Sequence, residues 1–305
     1  MPSADDIDTL AVGDPFLITE VAAAPGAGLS APRRRLGLLF WVSVGWLAAV
    51  ILLALLAPVL PLADPSRIPG NAHPFASPSL HHLLGTDDLG RDLFSRVVNG
   101  SRVSLAVGFG SIAVSLLVGG SLGLLAGFFQ GALDLTVNGL VANVALAFPP
   151  LIFLLAAVTF LGNRLIVILL AIGTLGTFHT FRVVRGATLH QSSRDFVAAA
   201  RVIGATNRRL ILREVLPGVI PPVLAVVLVG VATAITAEAG LAFLGFSVPP
   251  PTPTWGSIIA EGQAFLSNDA WIGLIPAIVL CLTVLSLNFA GDRLRSLLDA
   301  REGNL

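Results

Sequence analysis

The sequence predicts an all-α membrane protein with six transmembrane helices, and three observations carry that prediction. The chain is 55% hydrophobic and only 12% charged, against roughly 25% charged residues in a soluble domain. Six apolar stretches are each long enough to cross a hydrocarbon core about 30 Å thick, which takes about 20 helical residues. The arginines fall very unequally on the two sets of connecting segments, as expected when cytoplasmic loops retain positive charge.

Residues 1–35 are Ala/Gly/Pro-rich and acidic, with Asp5, Asp6, Asp8, Asp14 and Glu20. They lack the basic start of a signal peptide and are expected to form a disordered cytoplasmic tail. Arg33, Arg34 and Arg35 lead into the first span, 36–62. An external segment, 63–101, is expected to carry an interfacial helix. The core transmembrane domain, 102–291, holds spans at about 102–127, 136–161, 165–182, 218–246 and 272–291, with a cytoplasmic hairpin at 192–217 and a cytoplasmic C-terminal tail at 292–305. Six spans return both termini to one side. With the N-terminus inside, thirteen arginines lie on the inner side. Five (Arg67, Arg91, Arg96, Arg102 and Arg164) lie outside. Both termini and the hairpin are therefore placed in the cytoplasm.

All eighteen basic residues are Arg. A Walker A loop needs its Lys to reach the β- and γ-phosphates, so this chain alone is no P-loop ATPase. Zero net charge gives no sign of nucleic-acid binding. The single Cys281 excludes a disulfide framework or Cys-rich metal site and reads as a small buried hydrophobe.

The second span is rich in Gly, at Gly108, Gly110, Gly119, Gly120, Gly123 and Gly127. Small residues let membrane helices approach closely, either within the chain or against a second subunit. Before it, Thr86 is placed to cap a helix with Asp87 and Asp88 in its first turn. Leu89, Leu93, Phe94, Val97 and Val98 would form its apolar face, and Asn99-Gly100 would end it. That helix would lie in the interface plane, as a ledge for a partner or as a structural collar. Adjacent His81 and His82 near Asp87 and Asp88 do not suit one metal ion, and no metal site is assigned. The run PPPTPTWG cannot be helix interior. It reads as a rigid external loop leading to Trp255 and Trp271 as interface anchors. Glu238, the one acid well inside an apolar stretch, lies twenty residues beyond Gly218, about 30 Å of helix. It either lines a translocation path or pairs within the bundle.

The hairpin carries most of the functional information. Ser192 precedes Asp195 by a capping-box-like spacing, and Phe196, Ala199, Ala200 and Ile203 recur at helical spacing. Gly204 suits a helix C′ position, Thr206 or Asn207 caps a second helix, and Pro217 is expected to stop it. Seven Arg face two acids between Arg182 and Pro217, and Ala198, Ala199 and Ala200 make one face shallow. A short helix seated in a partner's groove fits this pattern; a basic loop against lipid headgroups is the blander reading.

The segment DFVAAARVIGATNRRLILREVLP resembles the Glu-Ala-Ala loop of binding-protein-dependent ABC importer permeases. Ala199, Ala200, Gly204, Leu216 and Pro217 match that pattern, while Ala198 stands where the family usually has Glu and Glu214 where His is common. HHLLGTDDLGRDLFSRVVNGSRVSL, AEAGLAFLGFSVPPPTPTWG and GDRLRSLLDAR are similar to the peptide and nickel branch, specifically its dipeptide/oligopeptide C-type permease. The resemblance implies an ABC importer type I permease fold and a permease forming half of an alternating-access pathway. It further implies a related B-type permease, two ABC ATPase subunits and an extracytoplasmic substrate-binding protein as partners. ATP and Mg would be bound by the ATPases, with no cofactor in this chain. By resemblance, Ala198, Ala199, Ala200, Arg201, Gly204, Ala205, Leu216 and Pro217 couple to the ATPase. Peptides are the expected cargo, with nickel or another small solute as the alternative. An ATP-independent secondary transporter is the reading from another class. It would want charged groups near the midplane of repeated halves, and it leaves the hairpin unexplained. No nucleophile elbow or H-E-x-x-H motif supports an enzyme.

Overall fold

A computed structural model of the chain describes residues 37–70, 73–131, 134 and 148–302. The expected tail at 1–35 and most of the first half of the 136–161 span lie outside the described residues. Apart from one isolated Thr86–Asp92 bridge, the regular structure among the described residues is helical. The helices are α1 (Leu38–Leu56), α2 (Leu93–Phe129), α3 (Pro150–Leu161), α4 (Leu165–Ser192), α5 (Asp195–Val202), α6 (Asn207–Phe243), α7 (Trp255–Gly262) and α8 (Trp271–Glu302). Five of them, α1, α2, α4, α6 and α8, are long and apolar enough to cross a membrane, and α3 is a shorter apolar helix.

α1 is apolar on every side and buries only Ser43, Val50 and Ala54, so it sits at the bundle's edge. Trp46 Nε1 ties it to Thr283 Oγ1 of α8 at 3.1 Å. One core joins α1, α2, α6, α7 and α8 through Val50, Leu93, Leu105, Ile235, Trp255 and Leu287, and a second joins α2, α3, α4 and α6 through Val107, Leu154, Ile168 and Leu241.

Glycine closes the α2–α4 seam. A Cβ on Gly123 would lie 2.7 Å from the Phe181 carbonyl oxygen, one on Gly127 2.8 Å from that of Arg185, and one on Gly119 would run into the Thr177 carbonyl. Backbone thus lies on backbone for two helical turns, the contact that small residues permit where lipid supplies no hydrophobic drive. The same stretch contains a π-helical turn, Leu116–Gly120, and a buried Ser115 Oγ–Thr180 Oγ1 hydrogen bond of 2.6 Å. The small residues serve packing within the chain here.

Several expectations are corrected. No separate interfacial helix spans 86–99. Helix α2 starts at Leu93, where Asp92 accepts from Ser95 N (2.8 Å), and runs through Asn99-Gly100 without a break. The Thr86 and Asp87 side chains bond within the preceding loop and are not available as caps. Gly100 marks a close approach to Thr254 and Trp255 of the α7 start, where a Cβ would sit 3.3 Å from backbone. Pro217 does not stop its helix either, for α6 continues through Pro217, Pro221 and Pro222. A π-helical turn, Leu210–Val215, directly precedes Pro217. It widens the turn that the ring would otherwise strike, at the carbonyl four residues back. Ser192 forms no capping box; its Oγ bonds back to Leu189 O at 3.1 Å, and Arg194 occupies the N-cap of α5. α4 runs ten residues beyond the expected end at 182, and the helix of the first apolar run stops at Leu56 rather than 62. Trp255 is fully buried, with Nε1 donating to Val97 O at 3.1 Å, so it is core and not an interface anchor. Cys281 is exposed on α8, not buried.

Candidate functional site

At one end of the bundle the chain turns from α4 through α5 into α6. Val197 is the buried residue of α5; it packs with Phe128, Val184, Leu210, Val215 and Val219. Ala200 and Ala205 lean on the same cluster, so they seat the hairpin rather than present a face. Ala198, Ala199 and Gly204 are exposed together with Phe196, Arg201 is exposed with its guanidinium over the Phe128 ring, 5.9 Å from the centroid, and the tip residues Val202 and Ile203 are 88% and 87% exposed. Gly204 has φ +89°, a conformation that a side chain disfavours. It lets Gly204 N bond to Arg201 O and Ala205 N to Ala200 O, at 3.0 and 3.1 Å, closing the end of α5. Thr206 holds the N-cap of α6 with extended backbone and no side-chain bond. Leu216 is half-buried and Pro217 exposed. At the hairpin's base a Cβ on Gly218 would collide with the Gln191 amide, so α4 and α6 are in tight contact where the hairpin joins them. Nearby, Arg185 forms a two-pronged pair with Asp134, Nη2 to Oδ2 at 2.5 Å; this hydrogen bonding holds the Asp134 carboxyl below its usual pKa.

Between α3, α4 and α6 lies an open groove with two connected cavities of about 420 and 550 Å³ that share Pro150, Leu154, Thr233 and Ala237 in their walls. The walls are mostly Val, Leu, Ile, Ala and Gly. The polar wall residues are largely tied back: Thr180 to Ser115, Ser111 to Leu169 O, Thr233 to Val229 O, Thr236 to Ala232 O and Asn288 to Val284 O. Among the described residues that line the groove, His179 is the ionisable one. Glu238 is not among the lining residues, although its neighbour Ala237 is. The Glu238 side chain is fully buried, and its Oε1 accepts from Ser247 Oγ at 2.6 Å. Of the two readings open in the sequence, its contacts are those of pairing within the bundle.

The opposite end holds a charged clamp that sequence reading did not assemble. Arg96, 1% exposed, donates from Nη1 to Asp87 Oδ2 (2.6 Å) and Glu261 Oε2 (2.7 Å), and from Nη2 to Glu261 Oε1 (3.1 Å). Arg91 adds Nε to Asp87 Oδ2 (2.7 Å) and Nη2 to Glu261 Oε2 (3.1 Å). Asp87 Oδ1 accepts the backbone N–H groups of Leu89 and Arg91. The loop before α2 is thereby bolted to the end of α7. Carboxylate oxygens of Asp87, Asp88 and Glu261 lie within 4.8 Å of one another, but the guanidinium groups of Arg91 and Arg96 already pair with that cluster. His82 pairs separately with Asp92, Nδ1 to Oδ1 at 2.9 Å, so the His81-His82-Asp87-Asp88 set is not brought to one point. Glu261 is the partner that the sequence hid, 165 residues from Arg96.

The family described as binding-protein-dependent transport system inner membrane component matches residues 94–303. The dipeptide transport system permease protein DppC of Alkalihalophilus pseudofirmus is 34% identical over 84% of this chain and 83% of its own length. The di/tripeptide transport system permease protein DppC of Pseudomonas aeruginosa is 38% identical over 73% of each. The glutathione transport system permease protein GsiD of Escherichia coli is 37% identical over 73% of this chain and 74% of its own. Among solved structures, an inward-facing MetNI methionine ABC transporter chain shares the fold, with TM-score 0.57 and 20% identity over 68% of this chain and 97% of that one. With the family match spanning its helical core, the chain belongs to the binding-protein-dependent transport system inner membrane components, a family of membrane transport permeases.

Proposed function

We propose that this chain is one of two permease subunits of an ATP-driven ABC importer for peptides in a prokaryotic cell membrane. It has six spans, both termini and the 192–217 hairpin in the cytoplasm, and the Pro249–Trp255 loop outside. The peptide assignment draws on relatives named for dipeptide, di/tripeptide and glutathione transport. The observation that carries the docking role is the hairpin tip. Two large aliphatic side chains, Val202 and Ile203, stand almost fully exposed beside an arginine-rich flank, on a turn that Gly204 holds in one shape.

In this reading the hairpin seats on one of two ATPase subunits, which bind ATP and Mg; this chain has no cofactor of its own and is not the hydrolase. A related B-type permease completes the pathway and a binding protein delivers the peptide. Closure of the ATPases swings the hairpin. Because Val197, Ala200 and Ala205 fix it to the ends of α2, α4 and α6, that swing reaches the groove walls directly. The groove then alternates between the two sides, with ATP supplying the bias between two states.

The test is Ile203→Asp, which places a charge in the proposed contact without touching the bundle's core. Co-purification of the ATPase subunits and peptide uptake are both expected to fall by more than tenfold, with the permease pair still assembled. Wild-type levels of both would remove the hairpin from the docking role.

A further inference from the structure

We propose that Glu238 is the positioning residue of an outer gate. Through Ser247 it holds Phe246 and Val248 as a plug over the end of the groove away from the hairpin, and cargo enters when that bond opens. The inference rests on the importer reading above and adds the contact that closes the pathway's outer end.

Leu154 and Ala237 belong to the groove walls. Beyond them Val158, Ile168 and Leu241 fill the space, and Phe246 and Val248 pack on that same cluster. Ser247 sits between these two plug residues, and its Oγ donates to Glu238 Oε1 at 2.6 Å. The ends of the loop are fixed independently. At one end Gly245 turns at φ +81° and Phe246 N bonds to Leu241 O at 2.8 Å. At the other Thr254 caps α7, and Trp255 N bonds to Ser104 Oγ at 3.2 Å. In between, Pro249, Pro250, Pro251 and Pro253 have no N–H to donate. Among the described residues, the Ser247–Glu238 bond is the one hydrogen bond that ties 247–253 to a helix.

The Glu238 carboxyl is only half satisfied. It is fully buried, and its Oε2 has no hydrogen bond among the described residues. A buried polar atom without a partner is destabilising. The closed arrangement thus gains one bond and carries one unpaired oxygen. Opening would lose the bond but let water reach the carboxyl, so the two effects offset each other. Two arrangements of similar free energy suit a driven gate, since the drive supplies only the difference between them. A purely apolar plug would lack this balance, because opening it would expose its side chains with no compensating hydration.

The reporter is Thr233→Cys in a Cys281→Ser background, because Thr233 lines both cavities on the hairpin side of Glu238. Intact cells carrying the complete importer are treated with an impermeant thiol reagent, and labelling is normalised to the assembled complex recovered. Ser247→Ala removes the donor without adding bulk. It is expected to raise the labelling rate about tenfold, equivalent to about 1.4 kcal/mol in the balance between open and closed. Glu238→Gln keeps a carbonyl oxygen as acceptor and should label close to the wild-type rate. In proteoliposomes holding both permeases, the ATPases and the binding protein, Ser247→Ala should also hydrolyse more ATP per dipeptide imported. An unchanged labelling rate per assembled complex would overturn the gate, even with less complex recovered, since that pattern marks a merely structural contact. An unchanged ratio of ATP to dipeptide would overturn it too. If the wild-type importer moves no dipeptide while its ATPase runs, the peptide reading falls, and the labelling comparison still decides whether Ser247 and Glu238 close the groove.

Discussion

Replacing Arg96 tests whether the clamp at the far end of the bundle is structural. Arg96→Met removes a guanidinium that is 1% exposed and makes three charge-assisted contacts. Breaking a buried pair by deleting one partner typically costs about 3–5 kcal/mol, because the remaining charge is stranded. The structure places Arg96→Met at the low end of that range. Asp87 keeps Arg91 Nε at 2.7 Å and the N–H groups of Leu89 and Arg91. Glu261 keeps Arg91 Nη2, and its side chain is 31% exposed, so water covers part of the loss. Asp87→Ala should be worse, at about 5 kcal/mol: it leaves two buried guanidiniums sharing Glu261 and strips the acceptor from two backbone N–H groups. The assay is thermal stability of the detergent-solubilised chain by fluorescence-detected size exclusion, with limited proteolysis of residues 73–92. Both variants should unfold earlier and expose that loop, Asp87→Ala more so. An Arg96→Met protein as stable as wild type, or the reverse ranking, would refute the reasoning.

Three further outcomes follow from the same structure. Gly123→Val is expected to pry α2 from α4 and cost roughly 1–3 kcal/mol by overpacking, since its Cβ would lie 2.7 Å from the Phe181 carbonyl. Gly120→Val, with nothing within 4 Å, should be close to neutral on the same thermal assay, and equal effects would refute the seam. Burial and then the neighbouring Asp87 carboxylate raise the Asp88 pKa above its ordinary 3.8. The folded protein therefore binds this proton more tightly than the unfolded chain does. The associated stability is complete below pH 3.8 and is lost as pH rises through the folded value. Asp88→Asn should accordingly be more stable than wild type at neutral pH, with the gap closing in acid; a gap independent of pH would contradict this. For the proposed topology, Ser193→Cys and Thr252→Cys in a Cys281→Ser background should label from opposite sides of intact cells with an impermeant thiol reagent. The exposed Cys281 must be removed first, and labelling of both positions from outside would overturn the orientation.

Much of this protein could be read directly from the chain. Membrane residence follows from composition and run length, and the hairpin from Gly204 between two apolar-periodic stretches, because helix periodicity and positive-φ turns are local properties. Local signals misled where a longer-range contact outweighed them. Asn99-Gly100 reads as a helix stop, yet Gly100 is where α7 presses on α2. Pro217 reads as a breaker, yet the preceding π-helical turn accommodates its ring. Trp255 reads as an interfacial anchor, yet its indole N–H finds the Val97 carbonyl inside the bundle.

The sequence by itself determined the class of the molecule, a helical membrane protein with a glycine-turned hairpin between two apolar stretches and motifs that resemble those of transport permeases, since hydropathy and turn chemistry need no knowledge of distant residues. Only the tertiary structure decided which groups meet. It brought Glu261 to Arg96, turned Ala198 and Ala199 outward while seating Ala200 and Ala205, buried Glu238 beside Ser247, and left His179 facing an apolar groove. The physical reason is that helix identity is set within a few residues of chain. Which face of a helix meets another, and which charge finds its partner, depends on how the helices pack against one another.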